Sequence, residues 1–330
     1  MTSKRIKLIT MGAAVVALGA LSACGSGQVG QTDSGNSGTA SKNLTLVPGV
    51  QNEPFYISMQ CGAEAEARAA GYQLQTQAPQ KFEATLQTPI VTALGANKPG
   101  GLLIAPTDDI AMAAPISQLK QMGVKIIEVD TALTDTTIAQ STITSNNDEG
   151  GRLAARTLAQ LAGGKSGSVL VLDTKAGTST TGARAKGFVE ELAKTPNLKS
   201  IGIQFTDNEP EQAAAKVTAA LSANKDLIGV FATNLNTGEG ASTGLKNSGK
   251  TGKVNLVGFD ASPSEVNGLR SGDFQALIAQ DPATIGKQGV RQAIAAIEGK
   301  PVTRNLDAPL IAITKADMDS KAQYFYKNQC

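Results

Sequence analysis

The segment Leu227-Ile228-Gly229-Val230-Phe231-Ala232-Thr233-Asn234 contains the pattern that decides the fold, an uninterrupted apolar run that ends in a polar side chain. Similar apolar runs occur at 101–105 (Gly-Leu-Leu-Ile-Ala) and at 168–172 (Ser-Val-Leu-Val-Leu). A strand that is apolar at almost every position suits a parallel sheet whose two faces are both covered by helices. The sequence therefore predicts parallel β-structure between layers of helix.

From Asn43 onward, such runs alternate with alanine-rich stretches of helical character. We predict strands over 43–47, 72–77, 101–105, 125–130, 142–145, 168–173, 200–205, 227–233, 254–259 and 275–279. We predict helices over 55–70, 82–95, 109–122, 148–162, 179–194, 210–223, 237–248, 262–270 and 282–298. Regular alternation of this kind indicates a doubly wound α/β architecture, and residues 43–330 are numerous enough for two such domains.

Ligands of doubly wound sheets bind beyond the carboxyl ends of the strands, so the residues at those ends are candidate site residues. Four predicted strands end at or before Asp130, Asn234, Asp260 and Gln280, and the first strand leads into Phe55 and Tyr56. Carboxylates and amides hydrogen-bond to hydroxyl groups, and aromatic rings offer flat apolar faces. This set suits a neutral polyhydroxylated ring. The alternative is that strand-end Asp and Asn residues only cap the following helices.

The N-terminal residues have the order of an export signal. Basic residues at 4–7 precede an apolar run from Leu8 to Leu21, which is too short and too rich in glycine for a membrane span. Leu-Ser-Ala-Cys at 21–24 resembles the lipobox of bacterial lipoproteins, which implies a signal peptide over 1–23 and a lipid on Cys24. The alternative is a plain secretory signal with a chance cysteine. The Gly/Ser-rich remainder of 24–42 is predicted to be a flexible tether.

Charge and composition exclude several classes of function. The chain has 30 basic and 28 acidic residues, and loss of the signal leaves 27 basic residues and a net charge of −1. Nucleic acid is therefore not expected as a partner, because binding to phosphates needs a basic surface. The chain has no histidine, which removes His-based triads and most transition-metal sites. We predict neither a metal nor a cofactor.

Two cysteines remain besides Cys24, namely Cys61 and Cys330. In an exported chain two cysteines most simply form one disulfide, which here would connect the C-terminus to the first helix. Closing so long a loop could stabilise the fold by up to about 5 kcal/mol in the chain-entropy description. The alternative is two free, buried thiols.

Two nucleotide-binding motifs occur in surroundings that do not fit them. Residues 25–30 (Gly-Ser-Gly-Gln-Val-Gly) match the dinucleotide fingerprint but follow the signal rather than a strand. Residues 244–251 match a P-loop, but a predicted helix precedes them and a strand follows, which is the reverse of the P-loop order. Gly249 is better interpreted as a helix C-cap.

A penicillin-binding set also occurs, formed by Ser117 with Lys120, residues 145–147 and residues 250–252. That chemistry needs its serine at the start of a helix and its Lys-Thr-Gly on a strand. Ser117 instead falls inside a predicted helix, and 250–252 form a predicted turn. A secreted serine acyltransferase that uses Ser117 and Lys120 is therefore a remote alternative.

Five motifs along the chain together resemble one family. They are Asn-Glu-Pro-Phe-Tyr (52–56), Ala-Pro-Thr-Asp (105–108), Val-Asp (129–130), Val-Gly-Phe-Asp (257–260) and Ile-Ala-Gln-Asp-Pro-Ala-Thr-Ile-Gly (278–286). In this order and spacing they resemble the type I solute-binding proteins of sugar ABC transporters, of the ribose/galactose-binding kind, over essentially all of 43–330. The resemblance implies two doubly wound parallel-sheet lobes joined by a three-crossing hinge, with a sugar in the cleft between them.

The implied crossings lie near 145/146, 280/281 and 309/310. They divide the chain into an N-terminal lobe (43–145 plus 281–309) and a C-terminal lobe with tail (146–280 plus 310–330), and leave open that the tail returns to the N-terminal lobe. The resemblance implies that the sugar is bound by Glu53, Phe55, Tyr56, Asp130, Asn234, Asp260 and Gln280.

The chain also departs from the ribose-binding pattern. Thr131 and Gly182 stand where arginines are expected, Ala105 replaces an asparagine, and Asn208 replaces an aromatic residue of the second lobe. Losing guanidinium forks removes bidentate partners for hydroxyl groups, so another pentose, a hexose or a polyol is expected rather than ribose. The three carboxylates in the implied site disfavour an anion.

The implied function is that of a monomeric, non-enzymatic lipoprotein on the outer face of the cytoplasmic membrane. It would bind a neutral monosaccharide or polyol, close its lobes around it and deliver it to the permease of an ABC importer. The alternative in another class is a sugar-sensing receptor subunit for a membrane signalling partner. A transport operon beside the gene would favour the importer.

Overall fold

The structure is a computed structural model that describes residues 41–330. The predicted signal peptide, Cys24, the motif at 25–30 and nearly all of the predicted tether lie outside the described residues. Within 41–330, none of the helices combines the length and the apolar character that crossing a membrane would need.

The described residues form twelve strands and nine α-helices. The strands are β1 (Asn43–Val47), β2 (Gln73–Thr76), β3 (Gly101–Ile104), β4 (Lys125–Val129), β5 (Ser141–Ser145), β6 (Gly167–Asp173), β7 (Leu198–Phe205), β8 (Leu227–Ala232), β9 (Asn255–Phe259), β10 (Ala276–Gln280), β11 (Asn305–Ala308) and β12 (Leu310–Thr314). The helices are α1 (Pro54–Ala69), α2 (Ala84–Asn97), α3 (Ala113–Gln121), α4 (Asn147–Ala162), α5 (Ser179–Leu192), α6 (Pro210–Ala223), α7 (Leu235–Asn247), α8 (Pro263–Ser271) and α9 (Pro282–Ile297), and a 3-10 helix spans Met318–Tyr324.

The strands form two six-stranded sheets with the same spatial order. The first is β2-β1-β3-β4-β5-β11 and the second is β7-β6-β8-β9-β10-β12. All pairs of the first sheet are parallel, whereas β12 of the second runs antiparallel to β10. Leu102, Leu103 and Ile104 of β3 are fully buried, as expected for a strand covered on both faces. The predicted fold class of two α/β lobes is confirmed, with one unexpected antiparallel edge strand.

Helix α3 shows the largest difference from the predicted boundaries, since it begins at Ala113 rather than at 109. The Asp108 carboxylate accepts hydrogen bonds from the backbone N–H groups of Ile110 (3.0 Å) and Ala111 (2.7 Å). An aspartate that binds the backbone two and three residues on stabilises a turn in place of a helical turn. All ten predicted strands and the other eight predicted helices lie within about two residues of the observed ones.

The chain passes between the two sheets at three places. Ser145 ends β5 shortly before α4, Gln280 ends β10 shortly before α9, and β12 follows directly on β11. The C-terminus then returns to the first lobe, where Cys330 is bonded to Cys61 of α1 with a Cα–Cα distance of 5.3 Å. The structure thus contains the predicted disulfide.

Candidate functional site

A cavity lies between the carboxyl ends of the two sheets. It encloses about 390 Å³ of empty space, part of which is open to solvent. Its lining residues are Glu53, Phe55, Tyr56, Phe82, Asp130, Thr131, Thr174, Thr180, Thr181, Arg184, Asn208, Asn234, Asp260 and Gln280. The structure therefore brings all seven sequence-predicted ligand residues together around one cavity.

Asp130 and Asp260 enter the cavity from equivalent strand ends. Asp130 directly follows β4 and Asp260 directly follows β9. Both have positive φ values, 66° and 106°, a conformation that few residues other than glycine adopt. The backbone N–H of Asp130 donates to Ile143 O, and that of Asp260 donates to Ile278 O, each at 2.8 Å. These bonds to the neighbouring strand hold each aspartate in its strained conformation.

The two carboxylates are hydrogen-bonded as well as buried. Asp130 Oδ2 accepts the Tyr56 hydroxyl at 2.8 Å, whereas Asp260 Oδ1 accepts the Tyr326 hydroxyl and Gln280 Nε2, both at 2.8 Å. Burial raises the pKa of Asp130 to about 6, and the Arg184 guanidinium and the Tyr56 hydroxyl oppose that rise. Burial also raises the pKa of Asp260, against the same guanidinium.

Gln280 lies where the chain leaves the second sheet and connects the two lobes. Its Oε1 accepts the Ser145 hydroxyl at 2.8 Å, and its Nε2 donates to Asp260. Both ends of its amide are thus occupied, which fixes the orientation of the side chain. A change in the angle between the lobes would disturb a residue that lines the cavity.

Asn234 caps a helix and also lines the cavity. Its Oδ1 accepts the backbone N–H of Thr237 at 3.1 Å in a capping box at the start of α7. Its Nδ2 donates to Oδ1 of Asn208, another residue of the cavity lining, at 2.7 Å. For this residue the capping interpretation and the ligand interpretation are compatible, because the cap uses the oxygen and leaves the amide N–H groups on the cavity side.

Glu53 precedes α1 but does not cap it, since its side chain makes no capping hydrogen bond. Its carboxyl group instead lines the cavity with Phe55 and Tyr56, whose rings meet edge to face at 5.1 Å. Burial raises the pKa of Glu53 to about 8, and the nearby Asp260 and Asp130 add to the rise. At neutral pH Glu53 is therefore mainly protonated and can donate a hydrogen bond.

Arg184 is the most important lining residue that the sequence analysis did not select. It is 2% exposed, and its guanidinium lies 3.7 Å from the centre of the Phe259 ring. Its Nε donates to Asn147 Oδ1 at 2.8 Å, and one terminal nitrogen donates to Thr233 O at 2.9 Å. The ribose-binding pattern has an arginine at position 182, where this chain has a glycine. Arg184, two residues later, supplies a guanidinium to the cavity.

Helical periodicity could have revealed Arg184. The buried face of α5 includes Thr180, Thr181, Arg184 and Phe188. Arg184 is therefore a charged residue on the inward-facing side of the helix, where uncharged residues are expected. Two glycines allow α5 to approach α4 closely there. A Cβ on Gly151 would lie 2.0 Å from Arg184 O, and a Cβ on Gly187 would lie 2.2 Å from Asp148 O.

The rims of the cleft contact each other across the cavity mouth. The backbone N–H of Ala132 donates to Ser179 Oγ at 3.0 Å, and that of Asp109 donates to Gly177 O at 3.1 Å. Lys175 Nζ donates to Phe82 O at 3.1 Å, which joins a lining residue of the first lobe to the second. The structure therefore shows the two lobes closed upon each other.

The alternative motifs are not assembled into sites. Ser117 lies inside α3, and the Lys120 amine donates to Thr137 O at 2.6 Å rather than to Ser117. Residues 244–251 contain the end of α7 and a turn in which Gly249 has a φ of 64°, as in a helix C-cap. Residues 41–330 contain no group of three or more acidic or sulfur side chains that could hold a metal ion.

Fold and site together define a class, the two-lobed α/β binding proteins that enclose a small polar ligand between their lobes. The chain belongs to the periplasmic binding protein domain family, whose model matches residues 44–301. The members of this family are sugar-binding transport proteins and not enzymes. The resemblance found in the sequence is thereby confirmed at the level of the family.

Individual relatives agree with this assignment. The ribose import binding protein of Escherichia coli strain K12 is 31% identical over 280 residues, which cover 84% of this chain and 92% of the relative. A solute-binding protein of an ABC transporter from Agrobacterium vitis, solved with α-D-tagatopyranose, is 37% identical with a TM-score of 0.84, covering 86% of this chain and 99% of that one. A carbohydrate transporter solute-binding protein from Agrobacterium radiobacter, in complex with D-arabinose, is 26% identical with a TM-score of 0.81, covering 86% and 98%. The relatives are periplasmic binding proteins, which implies export.

Proposed function

We propose that this protein is the substrate-binding lipoprotein of an ABC importer, that it binds a neutral monosaccharide or polyol between its lobes, and that it delivers this ligand to a membrane permease. The observation that carries the proposal is the convergence of carboxylate, amide and aromatic side chains from both lobes on one cavity between them. Relatives that are named or solved with ribose, tagatose and arabinose support a sugar as the ligand class.

Each kind of side chain has a role in this proposal. Asp130 and Asp260 accept hydrogen bonds from sugar hydroxyls, while Asn234 and Gln280 present amide groups to the same ring. Phe55 and Tyr56 cover the apolar faces of the ring. Buried polar groups of this kind give selectivity, because a ligand without the matching hydroxyl leaves them unpaired.

The charges favour a ligand without negative charge. The cavity is lined by three carboxyl groups, those of Glu53, Asp130 and Asp260, against the one guanidinium of Arg184. A carboxylate or phosphate on the ligand would enter a site that already holds excess negative charge. Thr131 and Gly182, where the ribose-binding pattern has arginines, make a sugar other than ribose the expected ligand.

Closure of the lobes is the proposed mechanism. The rim contacts made by Ala132, Asp109 and Lys175 join the lobes only when the cleft is shut. A ligand that bonds to both lobes favours the closed state over the open one by its differential affinity. The permease then recognises the closed form.

Thermal unfolding against a panel of pentoses, hexoses and sugar alcohols tests the proposal, with D-tagatose, D-arabinose and xylitol included. A ligand at about a hundredfold over its Kd adds about 2.7 kcal/mol to the free energy of unfolding, which raises Tm by a few degrees. The shift should disappear in Asp260→Ala and persist in Asp319→Ala, which removes an exposed carboxylate. No shift for any member of the panel would contradict the sugar assignment.

The lipid anchor on Cys24 is tested separately. Cells grown with radiolabelled palmitate should label the wild-type protein and leave a Cys24→Ser variant unlabelled. Labelled protein should also sediment with membranes, whereas the variant should be released. Equal labelling of both proteins would contradict an anchor at Cys24.

A further inference from the structure

The residues that follow β12, 315–330, form a C-terminal tail that belongs to neither sheet. The tail begins beside β12 of the second lobe and ends at α1 of the first, where Cys330 is bonded to Cys61. The backbone N–H of Lys327 also donates to Ser58 Oγ of α1 at 2.7 Å. The tail is therefore a fourth connection between the lobes, in addition to the three chain crossings.

Tyr326 occupies the centre of this connection. It is 5% exposed, and its hydroxyl donates to Asp260 Oδ1 at 2.8 Å while accepting the backbone N–H of Gln280 at 3.1 Å. Its ring meets the Phe55 ring at 5.8 Å, with the planes 63° apart. Tyr326 thus contacts three residues that line the cavity, one of them in the other lobe, without lining the cavity itself.

The hydroxyl of Tyr326 helps to fix the orientation of the Asp260 carboxylate. Asp260 Oδ1 is shared between Tyr326 and Gln280, and Oδ2 accepts the backbone N–H of Leu235 at 3.1 Å. A carboxylate has about four acceptor sites, so at least one stays available for a ligand in a direction that these bonds determine. Without the Tyr326 hydroxyl, the Asp260 carboxylate loses one of the three hydrogen bonds that orient it.

The disulfide determines where Tyr326 can lie. Only three residues separate Tyr326 from Cys330, and the tail on its other side is a short 3-10 helix rather than a strand of either sheet. The backbone of Tyr326 makes one hydrogen bond to the second lobe, from its N–H to Ala261 O at 2.9 Å. A short segment with so few backbone bonds is expected to detach readily once its end is released.

We propose that Tyr326 is a positioning residue for Asp260, and that the Cys61–Cys330 disulfide holds Tyr326 in place, so that the bridge in the tail supports the ligand cavity at the hinge. The consequence for ligand affinity rests on the proposed function. The effect on the Asp260 carboxylate does not, since it exists in the ligand-free protein.

The direct test is an NMR titration of the Asp260 side-chain carboxyl carbon in the ligand-free protein. The titratable and charged groups that face Asp260 are Arg184 of α5, Glu53, Tyr56 of α1, Asp130, Glu265 of α8 and Tyr326. The Tyr326 hydroxyl is one of the groups that hold the pKa of Asp260 down. Tyr326→Phe, which removes this hydroxyl and keeps the ring, should therefore raise the Asp260 midpoint.

Removing the bridge, in the Cys61→Ser/Cys330→Ser protein, should also raise the midpoint of the Asp260 titration. If the bridge acts through Tyr326, adding Tyr326→Phe to that protein should produce no further shift, because the two changes remove the same interaction. Tyr324→Phe is the matched control, since Tyr324 lies in the same tail without bonding to Asp260, and it should leave the midpoint unchanged. An Asp260 titration that is identical in the wild-type and bridge-free proteins would overturn the proposal, as would no shift in Tyr326→Phe.

Two additions keep the test decisive. If the double serine variant does not fold, the folded wild-type protein is reduced with a water-soluble phosphine, which takes up oxygen from water as the two sulfurs become thiols, and its Asp260 midpoint should rise. Calorimetry with D-tagatose should show binding at least about tenfold weaker in Tyr326→Phe and in the bridge-free protein. If the wild-type protein does not bind D-tagatose, that result bears on the ligand class, and the titration still decides the positioning role.

Discussion

Asp130 and Asp260 are equivalent residues of the two lobes. Each follows a strand at the same place in its sheet order, each has a positive φ, and each carboxylate accepts a tyrosine hydroxyl at 2.8 Å. Neither tyrosine lies on a strand: Tyr56 belongs to α1, and Tyr326 belongs to the C-terminal tail. The cavity is therefore built on a repeated arrangement, in which two buried carboxylates face each other with Arg184 as their shared positive charge.

Replacing Arg184 should destabilise the fold strongly. Arg184→Met leaves the buried carboxylates without a positive charge, and breaking a buried charge pair in this way typically costs about 3–5 kcal/mol. Arg184→Lys should cost less, because it keeps the charge but loses the directed bonds to Asn147 and Thr233. The free energy of unfolding in urea measures both.

Arg156→Met is the control for this prediction. Arg156 lies on α4 with 42% of its side chain exposed and pairs with Glu149 at the surface. Exposed pairs contribute at most about 1 kcal/mol. A loss in Arg184→Met no larger than the loss in Arg156→Met would show that the buried guanidinium does not balance the cavity carboxylates.

Glu53 should make stability depend on pH. Its folded-state pKa of about 8 lies above its ordinary value of 4.5, so its contribution to stability is fully present below about pH 4.5 and is lost as the pH rises through 8. Glu53→Gln cannot ionise. The stability of this variant relative to wild type should therefore increase between pH 4 and pH 9, by on the order of 5 kcal/mol.

Glu83→Gln is a matched control, because Glu83 also precedes a helix without capping it but is exposed to solvent. Its stability relative to wild type should stay nearly constant over the same range. Urea unfolding at a series of pH values provides the comparison. A Glu53→Gln difference that does not change between pH 4 and pH 9 would contradict a protonated Glu53 in the cavity.

The close approach of α4 and α5 leads to a prediction about two glycines. Gly151→Ala should destabilise the protein by about 1–3 kcal/mol, because the new Cβ would lie 2.0 Å from Arg184 O and force the helices apart. Gly182→Ala, on α5, meets no atom within 4 Å and should stabilise the helix by up to about 1 kcal/mol. Thermal unfolding of the two variants should show shifts of opposite sign, and equal shifts would contradict the packing described.

Local sequence pattern was sufficient for most of the fold. The apolar runs and the alanine-rich stretches predicted the first ten strands and the nine helices, because each element buries surface in a characteristic period. β11 and β12 were missed. β11 has two polar residues among its four, and β12 follows it directly after Pro309 with no helix between them, which breaks the alternation of strand and helix. The antiparallel pairing of β12 with β10 depends on contacts distant in sequence.

The sequence predicted those site residues that lie at strand ends or in the family motifs. All seven selected residues line one cavity. Thr180, Thr181 and Arg184 line it too, but they were not selected, because they lie on a helix face rather than at a strand end. Tyr326 could not be found from local pattern, since its partners Asp260 and Gln280 lie 66 and 46 residues away in the chain. The binding roles of the seven residues stay a prediction.

Isothermal titration of the wild-type, Asp260→Asn and Asp319→Asn proteins with the sugars and polyols that raise Tm is the most direct test of the central claim. Asparagine tolerates positive φ better than most residues, so Asp260→Asn removes the charge with little backbone strain. We predict one ligand per protein, binding weaker by about tenfold or more in Asp260→Asn, and no change in Asp319→Asn. Binding of equal strength in all three proteins, or no heat from any sugar or polyol, would contradict a sugar site between the lobes.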